Sequence, residues 1–412
     1  MIARRHRRVA ACVVCAFACT AVAADAVRVT RLDGSVVRGH WAGAEAGTLR
    51  IDASATESIP LDQVWRVAFD AVRPASARPA DSVLLRWCDG SRLTGRILGS
   101  TDSGLRVALG DQPDDAAITI PFDALAGVWL HDPKGAVEQA RTLYADTRVQ
   151  RRPGNDVLLT LADGKLGTLP GGVLTLNARG GTIWFGGRER AFSTDIVFAV
   201  VFAQRLDPPP PSSLAVQWAG DELIRGRLDR ADAERLVVRT FFNAEVAVPI
   251  ASIAELEFAS PLLVFVSDLT PVDQQSTGLI HRPTPPRMDR SVANQPLSIA
   301  GQRCERGIGM QSRTALTFAL GGQYETFAAT IGIDDAVRPG GDVVFTVLGD
   351  GTVLVDSGSV TGHDAPRDIL VNVHGVDRLT LVADVGRDLD LADYADWGDA
   401  RLIRAPTGTG AP

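Results

Sequence analysis

Apolar and polar residues alternate with period two through most of this chain, the signature of strands with one buried face. Val27 and Val29 mark one such face, as do Val83, Leu85 and Trp87; Val157, Leu159 and Leu161; and Leu214, Val216 and Trp218. Three of these strands run into an Asp-Gly step: VRVTRLDG (27–34), VLLRWCDG (83–90) and VLLTLADG (157–164). LAVQWAGD (214–221) is a fourth copy with the Asp and Gly exchanged. Asp-Gly between alternating apolar residues is a strong hairpin signal. Each copy continues in a similar way. A second glycine follows (Gly39, Gly95, Gly226), then a strand such as TLRID, GLRVAL or RLVVRTF. An Ile-Pro or Val-Pro step comes next, at 59–60, 120–121 and 248–249, although the third copy lacks it. Apolar strands close the units: VWRVAF, LAGVWL, IVFAVVF and IAELEF. The repetition predicts four small SH3-like or Sm-like barrels, at 26–72, 81–132, 155–204 and 212–259.

Between the second and third units, 133–148 carries the one helical pattern, with Ala136, Ala140, Leu143 and Tyr144 on one face. Pro-rich connectors at 73–79 and 208–211 read as stiff spacers. Six Trp lie in the repeats: Trp41, Trp65, Trp87, Trp129, Trp184 and Trp218. Trp87 and Trp218 share a repeat position with Leu161, so the series reads as core and not as a stacking platform. After Phe258 the pattern changes. A polar, Pro-rich segment (274–295) is followed by strands broken by Gly and Asp. The expected architecture is all-β, tandem small barrels followed by a sandwich at 261–405, with a disordered tail at 406–412.

Composition narrows the function. The net charge of −7 and the scattered Lys and Arg argue against a nucleic-acid surface. Arg4, Arg5, Arg7 and Arg8 precede an apolar stretch (9–18) and the small residues Ala21-Val22-Ala23. That order predicts a signal peptide over 1–24 and export to the periplasm, the cell surface or the medium. No other apolar run is long enough to span a bilayer, so no transmembrane segment is expected in the mature chain. Of five Cys, three (Cys12, Cys15, Cys19) fall in that signal. Cys88 and Cys304 lie in different units and read as buried small hydrophobes.

The C-terminal third carries six segments in a recognisable order: PLSIAGQ (296–302), RGIGMQS (306–312), FAATIGIDD (327–335), VVFTVLGDG (343–351), VNVHGVDRLTLVAD (371–384) and DYADWGDARL (393–402). This block is similar to the novel carbohydrate-binding module that accompanies family 98 glycoside hydrolases. The resemblance covers about 261–404 and implies a jelly-roll, galactose-binding-like β-sandwich whose ligands, where known, are sugars. The chain departs from the family at two positions where a His is usual: Gln311 after the second Gly of RGIG, and Tyr394 in the last motif.

Trp397 among acids is chemistry that suits a sugar, since an aromatic face can stack on a pyranose while carboxylates accept hydrogen bonds from hydroxyls. The candidate ligand residues are Trp397 for stacking or support, Asp396, Tyr394, Asp334 and Asp335, with Arg401 as a donor. The alternative is that Trp397 is core and the acids are solvated. Asp334-Asp335 also offers loop carboxylates to a structural calcium, although no spaced oxygen-ligand loop accompanies them. No zinc spacing, nucleophile elbow, P-loop or dinucleotide fingerprint occurs. Glu255 and Glu257 share a strand face, a spacing that more often marks a solvated edge than a glycosidase pair. The expectation is an exported, non-catalytic protein that presents a glycan-binding module on a multi-barrel spacer or platform. The alternative is a structural or envelope-protein partner whose sandwich has no sugar.

Overall fold

The structure, a computed structural model, describes residues 26–45, 47–70, 81–110, 112–151, 153–204, 209, 211–218, 221–277, 284–387 and 389–404. The signal segment, the tail, the connector at 73–79, Pro208 and Pro210 of the one at 208–211 and the Ala219-Gly220 step of the fourth copy lie outside them. The described chain is almost entirely β, as the alternating pattern predicts, and carries one α-helix.

Twenty strands build four units with one pairing pattern. The first holds β1 (Ala26–Arg31), β2 (Val36–Glu45), β3 (Thr48–Asp52), β4 (Thr56–Pro60) and β5 (Val64–Phe69). The second holds β6 (Val83–Trp87), β7 (Arg92–Thr101), β8 (Gly104–Leu109), β9 (Ile118–Ile120) and β10 (Leu125–Trp129). The third holds β11 (Asp156–Ala162), β12 (Lys165–Asn177), β13 (Gly180–Phe185), β14 (Arg188–Ser193) and β15 (Val197–Val201). The fourth holds β16 (Leu214–Trp218), β17 (Leu223–Ala231), β18 (Arg235–Arg239), β19 (Glu245–Pro249) and β20 (Ile253–Phe258). In every unit the first four strands form an antiparallel meander and the fifth returns to pair with the first. The Pro steps end β4 and β19 and follow β9, each leading into a short 3-10 turn before the closing strand. A proline costs no ladder hydrogen bond there.

The units are not beads separated by spacers. Closing strands pair across units: β5 with β20, and β10 with β15. One apolar core runs through all four, from Val27 to Phe258, and includes Trp41 and Trp87. Trp129 belongs instead to a second cluster outside the β10–β15 sheet. There α1 (Val137–Val149) lays Ala140 and Tyr144 against Trp129 and Phe198. Trp184 corrects the core expectation for the series, because it is 52% exposed on β13. Cys88 and Cys304 are both free thiols; Cys304 is buried, Cys88 only half-buried.

The C-terminal part is a two-sheet sandwich. One sheet runs β23 (Arg287–Met288), β26 (Gly307–Gln311), β33 (Tyr394–Arg404), β28 (Tyr324–Ile333), β31 (Arg367–Asn372), with β21 (Leu263–Phe265) also on β33. The other runs β22 (Asp273–Ser276), β27 (Thr314–Ala319), β32 (Arg378–Val385), β29 (Asp342–Gly349), β30 (Thr352–Thr361). Their inner faces meet in a core that holds Phe318, Phe327, Phe345 and Trp397. A hairpin of β24 (Leu297–Ile299) and β25 (Gln302–Cys304) covers part of the first sheet's outer face.

Candidate functional site

Four of the six candidate residues lie on β33, the strand paired with both β26 and β28. Period two sends Ala395 and Trp397 into the sandwich core and Tyr394 and Asp396 to the outer face. Trp397 is 0% exposed, edge-on to Phe345 at 5.1 Å and tilted against Phe327 at 6.4 Å. It cannot stack on a sugar, and the expectation of a stacking ring is corrected in favour of a core anchor.

Asp396 is buried beneath the β24–β25 hairpin and accepts a hydrogen bond from the Ser298 amide at 3.3 Å. Burial, then a hydrogen bond and like charge from Asp334, hold its carboxyl well above the ordinary aspartate range. Asp334 is itself buried, and its Oδ1 accepts the Ala336 amide at 2.9 Å. Asp335 is half-buried and takes hydrogen bonds from the Ser298 hydroxyl and, at 2.8 Å, the Gly301 amide. The three acids therefore pin the hairpin and the loop after β28 to the sheet. Asp396 and Asp334 are not exposed acceptors, and the loop carboxylates expected for calcium are engaged by these donors. Among the described residues no group of three or more His, Cys, Asp or Glu could hold a metal ion.

Arg401 is also not a free donor. It is buried at the far end of β33 with its guanidinium 3.5 Å from the centre of the Trp65 ring, on β5 of the first barrel. Burial lowers its pKa to about 10, with Asp399 opposing the shift. Tyr394 is half-buried and stands directly opposite Gln311 on β26. The two positions where the family usually carries His are thus cross-strand partners, a juxtaposition the separate motifs do not show. In this chain the Gln311 side-chain carbonyl accepts the Thr284 amide at 3.1 Å.

One end of the sandwich keeps polar groups at the surface. Arg338 lies 3.8 Å from Asp335 and donates twice, at 3.1 Å, to the Asp364 carbonyl. Arg367 pairs with the Asp364 carboxylate at 3.0 Å. Gly362 brings that turn against the loop at 339–341, since a Cβ there would lie 2.2 Å from the Gly340 carbonyl. Half-exposed carboxylates alternating with guanidinium groups offer acceptors and donors to a hydroxyl-rich ligand. Of the six candidates, Asp335 alone contributes to this patch.

Glu255 and Glu257 correct the solvated-edge expectation. Both contact Arg66, at 3.0 and 3.6 Å, and Arg66 also meets Asp399 of the sandwich at 2.8 Å. Burial works against the Arg66 charge, but the three carboxylates outweigh it and hold its pKa above the ordinary value. Burial raises Glu257 and pushes Glu255 up to about 7. The sequence signal was the Glu-x-Glu spacing; the missing information was that β20 pairs with β5 and faces the sandwich.

The C-terminal part is thus a two-sheet sandwich with polar loops clustered at one end. Residues 263–403 match the NPCBM/NEW2 domain, so this part is a carbohydrate-binding-module domain. The chain is 32% identical over 128 residues to the alpha-1,3-galactosidase B of Akkermansia muciniphila, covering 30% of this chain and 16% of that one. A Renibacterium salmoninarum protein bearing the name of an endo-alpha-N-acetylgalactosaminidase is 31% identical over 108 residues, 26% of this chain and 7% of that one. The chain therefore spans a small fraction of the curated relatives it matches. Among solved structures, the CBM51 module of a Clostridium perfringens GH95 protein, in complex with methyl-galactose, is 26% identical. It covers 34% of this chain and 99% of that one, with a TM-score of 0.32.

Proposed function

We propose that this chain is an exported, non-catalytic glycan-binding protein whose C-terminal sandwich is the binding module and whose four barrels form its platform. The observation that carries this reading is the NPCBM/NEW2 match at 263–403. Relatives named as an alpha-1,3-galactosidase and an endo-alpha-N-acetylgalactosaminidase point to galactose-type sugars as the first ligands to test. The sandwich-end patch of Asp335, Arg338, Asp364 and Arg367 supplies donors and acceptors there. Sites of this kind bind weakly, on the order of 0.1 to 1 mM, because solvent competes for each hydrogen bond.

A glycan array probed with the chain lacking residues 1–24 tests the reading. Galactose-terminated glycans should be retained, and Arg338→Ala should reduce that retention. An array on which no glycan is bound would leave the envelope-protein partner as the better account. Export is tested separately: N-terminal sequencing of the secreted chain should begin near Ala24 or Asp25, and an intact Met1 in the mature protein would sink it.

A further inference from the structure

A cleft of about 410 Å³ lies between the fourth barrel and the sandwich. Its floor is the outward face of a three-strand ladder. Ala215 on β16 stands between Arg225 on β17 and Glu257 on β20, and Gln217 stands between Leu223 and Glu255. The opposite wall comes from the sandwich, with Leu263 and Phe265 of β21 and the side chain of Arg306. Ala215 is the small residue in the middle of the floor, so the cleft is deep where two longer side chains flank it. The volume falls within the ~300–1,000 Å³ typical of small-ligand sites.

The lining chemistry selects the ligand class. Its carboxylates are already compensated: Glu255 and Glu257 by Arg66 beside them on β5, Glu305 by Arg92 at 2.8 Å, and Asp268 by Arg306. No net field is left to draw in an ion. Each carboxylate still has lone pairs to offer, and Arg225 and the Gln217 amide supply donors. Among the described residues Gln217 has no side-chain hydrogen-bond partner. Leu263 and Phe265 give the cleft an apolar strip beside these groups. Donors, acceptors and a narrow apolar surface together suit a ring with hydroxyls on its edge and C–H bonds on its face.

We propose that this cleft is a second saccharide site, taking one or two neutral pyranose units between the fourth barrel and the sandwich. The proposal rests on the glycan-binding reading and adds a site that needs both the barrel and the module. A glycan chain held at the sandwich end and in the cleft would gain by linkage, since the second contact becomes intramolecular.

Saturation-transfer NMR on the chain lacking residues 1–24 tests it, with methyl glycosides of galactose, glucose and N-acetylglucosamine as probes. Glucuronate and trialanine serve as comparators. Ala215→Trp fills the floor from a solvent-facing position, and Gln217→Ala removes the free amide without adding bulk. The expected result is transfer to a neutral glycoside that Ala215→Trp abolishes at one of two sites and Gln217→Ala weakens about threefold to tenfold, the loss of one neutral hydrogen bond. Binding lost entirely in Ala215→Trp would support the cleft while removing the sandwich end as a sugar site. Binding unchanged in both variants, binding of glucuronate or trialanine alone, or no transfer to any probe would overturn the proposal. Should Ala215→Trp fail to fold, Gln217→Ala decides the question.

Discussion

At the scale of single residues, burial reassigns most of the chemistry that the sequence suggests. A Trp and three acids within the ten residues 393–402 read as a sugar site or as a core strand, and nothing in those letters separates the two. The separation is geometric. β33 is bordered by strands along its length, so the inward positions enter the core and the outward ones are covered by the hairpin and by the first barrel. Asp396 illustrates the energetic consequence. Asp396→Ala leaves the Ser298 amide without its acceptor, a cost of about 1–3 kcal/mol, which lowers Tm by several degrees. Asp396→Asn keeps an acceptor for Ser298 and cannot ionise. The sign of the pH dependence follows. A carboxyl whose folded pKa is raised contributes stability that is present at low pH and lost as pH rises through the raised value. The Tm of Asp396→Asn should therefore gain on wild type as pH rises, measured by calorimetry across pH 4 to 9. A Tm difference constant over that range would show that Asp396 ionises in the ordinary aspartate range.

At the scale of elements, the repeat was legible and its reason is now visible. The Asp-Gly steps sit at hairpins where Asp33 and Asp89 accept the amide two residues on, at 2.8 and 2.9 Å. Asp163 and Gly164 both adopt positive φ, as a tight two-residue turn demands. The second glycine of each unit marks where strand two bends across strand three. A Cβ on Gly95 would lie 2.6 Å from the Val107 side chain and 2.8 Å from the Ala108 carbonyl; on Gly226 it would lie 2.4 Å from the Arg239 carbonyl. Gly171 plays the same part in the degenerate third unit, 2.8 Å from the Trp184 carbonyl, where the altered spacing hid it. Gly226→Ala should accordingly destabilise the protein, because backbone must move to admit the methyl group. A denaturant midpoint equal to that of wild type would show that strand three yields freely. What the sequence did not display is the edge pairing of closing strands. β10 and β15 read as continuous apolar runs, and every residue of both is buried. Such a run signals burial on two faces but does not name the partner. Here one face enters the barrel core and the other lies under α1.

At the scale of the whole molecule, the two pairs of barrels solve one problem in two ways. Pairing of closing strands creates a sheet whose outer face must be covered. In the second and third units that face is apolar and the helix covers it, with Tyr144 against Gly127 and Trp129. In the first and fourth units the corresponding face carries Arg66, Glu255 and Glu257, and the sandwich covers it through Asp399 and Arg401. An apolar rim of Leu32, Trp65 and Ile403 surrounds the charges. The junction is therefore partly ionic, and its stability depends on pH in a direction that can be worked out. Glu255 has a folded pKa of about 7, above the 4.5 of an ordinary glutamate. Between those values the folded state holds the proton more tightly, so the contribution of Glu255 is complete below 4.5 and is lost as pH rises through 7. Glu255→Gln is neutral at every pH and removes this dependence while Glu257 and Asp399 still compensate Arg66. Wild type and Glu255→Gln should melt together near pH 4.5, and the wild type should fall progressively below the variant up to about pH 8. Parallel melting curves across that range, or a variant that falls below wild type as pH rises, would show that Glu255 ionises normally and that the junction is held by its apolar rim.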